Sequence, residues 1–281
     1  MKIFITSYNR PEKHSTYFYL KKNGLNPKLV VYEEFAAAYS KNVPVEDIIV
    51  SGSYQKLNNL AKHRNWIIDN LVEEGEWHIQ MSDDATEFFI LDEKYYNQEK
   101  IDVKKEAKFF KDLYFTKFDF ANFDKIVNEL VEKAEKNRVR YAGWAITKNH
   151  FYRDRKWNLS GLIDGRFVLI KKSKLRWDEN VSTVDDYQFS AENALQFGKV
   201  LRNNYFLPEF VRYGDGGVGS EKERFEKKKA DLNYLIEKYP LFFAIKKRSG
   251  KQEFKIDLEF RIRRERLVDK WRVWMRNVRV K

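Results

Sequence analysis

Residues Trp77 to Phe89 read WHIQMSDDATEFF. The run from Trp77 to Met81 has the apolar character of a buried strand. It stops at Ser82, ahead of the adjacent carboxylates Asp83 and Asp84, and Phe88 and Phe89 then resume the apolar pattern. In an open α/β sheet the carboxyl ends of the strands face the crevice where such sheets bind ligands. Neighbouring carboxylates at that place repel each other and require a cation. An all-oxygen ligand set suits a hard ion, Mg²⁺ or Mn²⁺, whose remaining positions a diphosphate can fill. The alternative is a cap, because Asp is favoured at the starts of turns and helices. The pair by itself leaves both readings open.

Upstream, Lys2 to Thr6 predicts a first strand, broken by Ser7, Tyr8, Asn9, Arg10 and Pro11. A helix is expected next, with Pro11 in its first turn, Tyr17 and Leu20 on its apolar face, and Gly24 and Pro27 as its stop. Leu29 to Tyr32 predicts a second strand and Asp47 to Val50 a third, with Ser51, Gly52 and Ser53 as its exit loop. Leu57, Leu60, Ile67, Ile68 and Leu71 recur at helical spacing, and Gly75 closes that helix before the Trp77 strand. Arg64 and Asn65 are polar residues beside its apolar face. Strand, loop, helix, strand is how a nucleotide-binding sheet begins.

Downstream, residues 92 to 120 are charged, aromatic and aperiodic, and read as a lid-like excursion. A helix is expected over Phe120 to Asn137, then strands over Tyr141 to Thr147 and Gly165 to Ile170. Between those strands lies FYRDRKW, Phe151 to Trp157, either a basic aromatic surface for nucleic acid or an ordinary surface loop. A second acidic pair, Asp185 and Asp186, precedes a helix with Tyr187, Phe189, Ala191, Ala194, Leu195 and Phe197 on its apolar face. Capping that helix and doing chemistry are compatible roles for the pair. Gly198 ends the helix ahead of a strand from Val200 to Phe206. Tyr213 to Ser220, YGDGGVGS, lacks the Gly-Lys-Ser/Thr of a phosphate loop and reads as a tight turn or a close approach to ligand. Residues 221 to 238 predict a charged helix. Arg261 to Lys281 carries nine Arg or Lys residues, with Leu267, Val268, Trp271, Trp274, Met275 and Val278 at helical intervals. Such a basic amphipathic helix can pack with its charged side along DNA, pack in solvent, or lie on a membrane.

Composition narrows the classes. The 281 residues suit one large α/β domain with an appendage, here 1–240 and a basic extension 241–281. A formal net charge of +12 favours a polyanionic partner, nucleic acid or an anionic membrane surface, over a merely solvated basic face. Zero cysteines exclude disulfides, thiolate zinc sites and cysteine nucleophiles. The apolar start is too short for a signal peptide, and no run reaches the roughly 20 apolar residues of a membrane span. The expectation is a soluble cytoplasmic protein, of the host cytoplasm if viral, without stable membrane insertion.

Four stretches in order, ITSYNRP (5–11), NNLAKHRNWIIDN (58–70), SDDATEFF (82–89) and VDDYQFSAENALQFG (184–198), give the chain a likeness to a known group. It resembles the GT-A glycosyltransferases and, within them, the TET-associated, phage-type enzymes that modify 5-hydroxymethylcytosine in DNA. The resemblance spans Lys2 to Pro240 and implies an α/β fold, a Rossmann-like mixed sheet flanked by helices that binds a nucleotide sugar, with the basic carboxyl-terminal helix outside it. It implies that Thr6, Tyr8, Asn9 and Arg10 lie near the uracil or its equivalent, and that Arg64 reaches the diphosphate. Asp83 and Asp84 would hold Mn²⁺ or Mg²⁺ together with a UDP-sugar, and Asp186 would be the general base, with Asp185 as its substitute. Gly216 and Gly217 of the glycine turn would line the acceptor side with Arg153, Arg155 and Trp157. DNA carrying a hydroxymethylated pyrimidine would be the partner, gripped also by Arg263, Arg264 and Arg272.

The chain departs from the group in its acidic run, which Ser82 and Ala85 shorten to two residues, and no histidine follows His150 to complete a metal shell. Two other readings remain: the same transferase acting on a surface glycan or lipid-linked acceptor, and a DNA-binding protein on a degenerate transferase fold. Truncation before Arg261 should weaken DNA binding and flatten its salt dependence in a filter or anisotropy titration. Unchanged binding would take the helix out of the interface.

Overall fold

The computed structural model describes residues 1–12, 15–101, 115–145, 155–211, 221–240, 242–246 and 257–260. The glycine turn, the loop through Arg153 and the expected basic helix with Arg263, Arg264 and Arg272 lie outside the described residues.

The first strand is β1 (Lys2–Thr6), and its neighbours follow from the alternation of its residues. Ile3 and Ile5 enter one hydrophobic core, while Phe4 enters another on the opposite face with Val30 and Ile67. Helix α1 (Ser15–Lys22) returns the chain to β2 (Lys28–Val31), which pairs parallel to β1. Pro11 was expected inside α1, but the helix begins only at Ser15 and Pro11 sits in a preceding turn. A short helix, α2 (Ala36–Tyr39), and strand β3 (Ile48–Val50) follow. Helix α3 (Leu60–Leu71) is capped by Asn59, whose Oδ1 accepts from the Lys62 N–H at 2.8 Å. It stops at Leu71 rather than at Gly75, which supplies a left-handed residue (φ 77°) in the turn into β4 (Trp77–Ser82).

Strand β4 leads by way of Asp83 and Asp84 into β5 (Ala85–Leu91), then α4 (Glu93–Tyr96), β6 (Phe115–Lys117) and α5 (Phe123–Lys136). The lid-like reading of 92–120 fails at its end, because Phe118 and Phe120 are buried in the main core against Phe206 and Phe88. Strands β7 (Tyr141–Trp144), β8 (Trp157–Asn158) and β9 (Phe167–Lys171) precede α6 (Asp185–Phe197). Gly198 ends α6 in the left-handed conformation (φ 78°), as expected.

The strand expected over Val200 to Phe206 is two strands in different sheets, β10 (Leu201–Asn203) and β11 (Phe206–Phe210). The break has a local cause. The Asn203 side chain accepts from the Tyr205 N–H at 2.8 Å, and the Asn204 N–H donates to the Lys156 carbonyl at 2.8 Å, which turns the chain out of the first sheet. Helix α7 (Glu221–Lys238) and the antiparallel pair β12 (Phe243–Lys246) and β13 (Asp257–Phe260) complete the described chain. Phe242 and Phe243 join Val184, Ala191 and Leu235 in a core between α6 and α7, so the folded body runs past residue 240.

The main sheet has the order β3-β2-β1-β4-β9-β7-β10-β8. The first four strands are parallel, whereas β9 runs antiparallel to both β4 and β7. This is an α/β fold with a helix-flanked mixed sheet of the GT-A type. A three-stranded sheet, β11-β5-β6, grows directly from the exit of β4. Phe88 at its centre is fully buried, with its ring against Tyr19, Phe120, Phe167 and Phe206. Phe88→Ala should therefore cost about 3–5 kcal/mol in urea unfolding. A loss near zero would show that the two sheets do not depend on that ring.

Candidate active site

Register places the site. Thr6 pairs with Ser82 at the last step of β1 and β4, so the next residues, Ser7 and Asp83, leave the sheet side by side. Ser7 Oγ donates to Asp83 Oδ2, and Arg10 Nη1 donates to Asp83 Oδ1 at 3.0 Å. Asp84 Oδ1 accepts from Ser82 Oγ at 2.6 Å. The two acids differ in exposure: the side chain of Asp83 is 5% exposed and that of Asp84 21%. Burial pushes the Asp83 carboxyl above its ordinary range, with Ser7 and Arg10 opposing and Asp84 reinforcing.

Around this pair the other loop residues take distinct places. Thr6 Oγ1 donates to the Met81 carbonyl, locking the two strand ends together. Tyr8 stacks on Tyr54 at 4.8 Å and stands edge-on to Tyr32 and Phe35, forming an aromatic nest beyond β1, β2 and β3. Asn9 takes a left-handed backbone (φ 48°) at the turn that swings Arg10 back onto the acids. Arg10, expected near the donor base, has its guanidinium on the carboxylates.

Because β9 runs against β4, its beginning and not its end lies at this edge. The Ser82 N–H donates to the Arg166 carbonyl at 2.8 Å, so Asp164, Gly165 and Arg166 enter the crevice. Arg166 grips Asp164 with two nitrogens, Nε to Oδ1 at 2.9 Å and Nη2 to Oδ2 at 2.6 Å. That contact holds the Asp164 carboxyl low against the opposing effect of burial. Trp144, Asp164, Arg166, Pro208 and Phe210 line a small open hollow with room for about one water. Asp164 and Arg166 escaped the sequence reading, which took this stretch as the start of a strand.

The second acidic pair begins α6. Asp185 is buried and accepts from Arg64 Nη1 at 2.9 Å. Arg64 donates its other terminal nitrogen to the Gly165 carbonyl at 2.6 Å and lies 4.3 Å over the Trp177 ring. The guanidinium expected at the diphosphate is instead an internal clamp joining α3, the start of β9 and α6. Gly165 leaves room for these groups: a Cβ there would come within 2.7 Å of Arg64 Nη1 and 3.1 Å of Asp186 Cβ, so any side chain would displace the clamp. Asp186 itself is partly exposed, beside that glycine. Burial, then the charges of Asp185 and Asp164, push its carboxyl up to about 8.

Residues 1–127 match the family model described as TET-Associated Glycosyltransferase. Over that span, less than half of the chain, the protein is similar to the TET-associated glycosyltransferases. No curated protein matches it. The transferase-like span contains Arg10, Arg64 and both acids at the exit of β4, whereas Asp164, Asp185 and Asp186 come from beyond it. Of the expected acceptor residues, Arg155 and Trp157 are described. Trp157 packs on the main core at the β8 edge, with Lys133 Nζ 5.3 Å from its ring. Four strand spacings of about 4.8 Å, roughly 19 Å, separate β8 from β4 along the sheet. Arg153, Gly216 and Gly217 lie outside the described residues.

The sign of the pH dependence at Asp186 follows from its raised value. Unfolding releases the proton between the ordinary 3.8 and about 8, so stability falls as pH rises through that window. Asp186→Asn should therefore melt higher than the parent at pH 9, with the gap closing toward pH 4, by about 2–4 °C per kcal/mol removed. A pH-independent gap would show that Asp186 titrates normally.

Proposed function

We propose that the enzyme transfers a sugar from a nucleotide-sugar donor to the hydroxyl of a hydroxymethylated pyrimidine in DNA. The observation that carries this reading is that β9's reversed direction gathers both acidic pairs into one crevice, with the Arg166 charge felt by Asp84 and by Asp186 alike. The family match supplies the transferase chemistry, and the net charge of +12 supports a polyanionic acceptor.

In this mechanism Tyr8 and Tyr54 offer ring faces to the donor base at the ends of β1 and β3. The donor set at the β4 exit, two carboxylates with the hydroxyls of Ser7 and Ser82, is all oxygen and fits Mg²⁺ or Mn²⁺ in its chemistry. The described residues hold no group of three or more acidic or imidazole ligands, so such an ion would rest on Asp83 and Asp84 plus the diphosphate itself. When bound, it neutralises charge developing on the leaving diphosphate. The acceptor hydroxymethyl group approaches the crevice from the side of Asp164 and Arg166, which line its mouth. In its ionised form, favoured above about pH 8, Asp186 takes the hydroxyl proton as that oxygen bonds to the anomeric carbon and the bond from that carbon to the diphosphate oxygen breaks.

The test is mass spectrometry of nucleosides from DNA containing 5-hydroxymethylcytosine after incubation with the protein, Mn²⁺ and a panel of nucleotide sugars. A hexose or pentose mass on that base is expected, reduced at least about 100-fold by Asp186→Asn and abolished by Asp84→Asn with DNA binding retained. Donor hydrolysis without a shift would move the acceptor to another molecule, and DNA binding with no donor turnover would leave a binding protein on a transferase fold.

A further inference from the structure

The cation site of the preceding reading has an occupant supplied by the chain. Arg10 Nη1 lies 3.0 Å from Asp83 Oδ1 and 3.9 Å from Asp84 Oδ2, so one charged nitrogen stands between the two carboxylates. The contact is built. Tyr39, fully buried, bonds with its hydroxyl to Ser7 Oγ at 2.6 Å and accepts from the Arg10 N–H at 2.9 Å, which fixes the backbone from which the guanidinium reaches back. Ser7 in turn donates to the other oxygen of Asp83, so both Asp83 oxygens are engaged. A guanidinium cannot shed its charge at any pH the protein tolerates, so it yields the carboxylates only by moving.

We propose that Arg10 holds the acidic pair against divalent cations until a nucleotide diphosphate arrives, and then moves its guanidinium onto phosphate oxygens as the cation takes the carboxylates. This rests on Asp83 and Asp84 being the cation site. A diphosphate offers the paired anionic oxygens that a guanidinium prefers, and Arg10 is only 16% exposed at the crevice wall, close enough to exchange one anion for the other without refolding its loop. Cation and diphosphate therefore bind as a coupled pair. By reciprocity each tightens the other by the same factor. Without Arg10, two adjacent carboxylates would face the crevice with hydroxyl partners alone and would attract a divalent ion unaided.

The experiment is a Mn²⁺ titration of the full chain followed by electron paramagnetic resonance, without nucleotide and with each of UDP, CDP, GDP, ADP and TDP. In the parent, at least one nucleotide should tighten Mn²⁺ by about ten-fold or more. Arg10→Gln should bind nucleotide-free Mn²⁺ about ten-fold tighter than the parent, with the nucleotide effect shrunken. Arg10→Lys restores a cation and should return nucleotide-free binding to the weak parental level, which a misfolded loop would not do. Arg10→Gln binding no tighter than the parent while Asp84→Asn loses Mn²⁺ would overturn the exchange and leave the cation site standing. Mn²⁺ binding untouched by Asp84→Asn would overturn the site and the exchange together, and no coupling to any nucleotide would overturn the exchange alone.

Discussion

The geometry of the site depends on one buried ion pair, Arg64 with Asp185. Arg64 is 3% exposed and sits between the Asp185 carboxylate, the Gly165 carbonyl and the face of Trp177. These contacts join the helix before β4, the entrance to β9 and the start of α6, which are far apart in sequence. A buried pair of this kind adds little net stability, since desolvation offsets most of the attraction, but removing one partner strands a charge at a cost of about 3–5 kcal/mol. Its value is positional. With Asp185 held inward, the next residue of the helix, Asp186, is left at the crevice side of the α6 start.

The same logic orders the rest of the charge. The crevice gathers Asp83, Asp84, Asp164, Asp185 and Asp186 with Arg10, Arg64 and Arg166. Each arginine donates to one carboxylate: Arg10 to Asp83, Arg64 to Asp185, Arg166 to Asp164. Asp84 and Asp186 accept no arginine hydrogen bond among the described residues; Asp84 has the Ser82 hydroxyl, and Asp186 has the Tyr187 and Gly165 backbone N–H groups. These are also the partly exposed members of their pairs. An active site built from like charges needs most of them neutralised for the fold to form and a few left over for chemistry, and the division here falls between neighbours in sequence.

How much of this the sequence discloses depends on the range of the interaction. Apolar runs and caps are local, so β1, β4, α6 and α7 were legible from Ile3, Ile79, Phe189 and the residues between the stops. The acid pair at the end of β4 was legible too, because a strand that ends in two carboxylates is a local pattern. Strand direction is not local. Nothing in IDGRFVLI tells that β9 runs against its neighbours, and on that reversal rests the presence of Asp164 and Arg166 at the site. The inward turn of Arg64 was equally hidden, since Trp177 and Asp185 that hold it lie on later elements. The contact of Arg10 with the acids was also hidden, because the left-handed Asn9 reverses the side-chain direction that an extended loop would have given.

The shortened acidic run has a structural cause. A third carboxylate after Asp84 would stand at position 85, where Ala85 is fully buried in the main core with Phe88 three residues further on. Its N–H is taken by Thr16 Oγ1 at 2.7 Å and its carbonyl by Ser15 Oγ at 2.9 Å, so the backbone at this point is docked onto the start of α1. A charged side chain there would have to be buried unpaired, at a cost that the fold cannot absorb. The sheet that grows from β4 therefore limits the run to two acids on that side. On the other side Ser82 is still a strand residue, and its hydroxyl serves Asp84. With only two carboxylates at the exit and one guanidinium already among them, the net charge presented to a cation is close to a single negative charge. Under the proposed function such a charge would hold a divalent ion only alongside a diphosphate, with the donor supplying the remaining ligands.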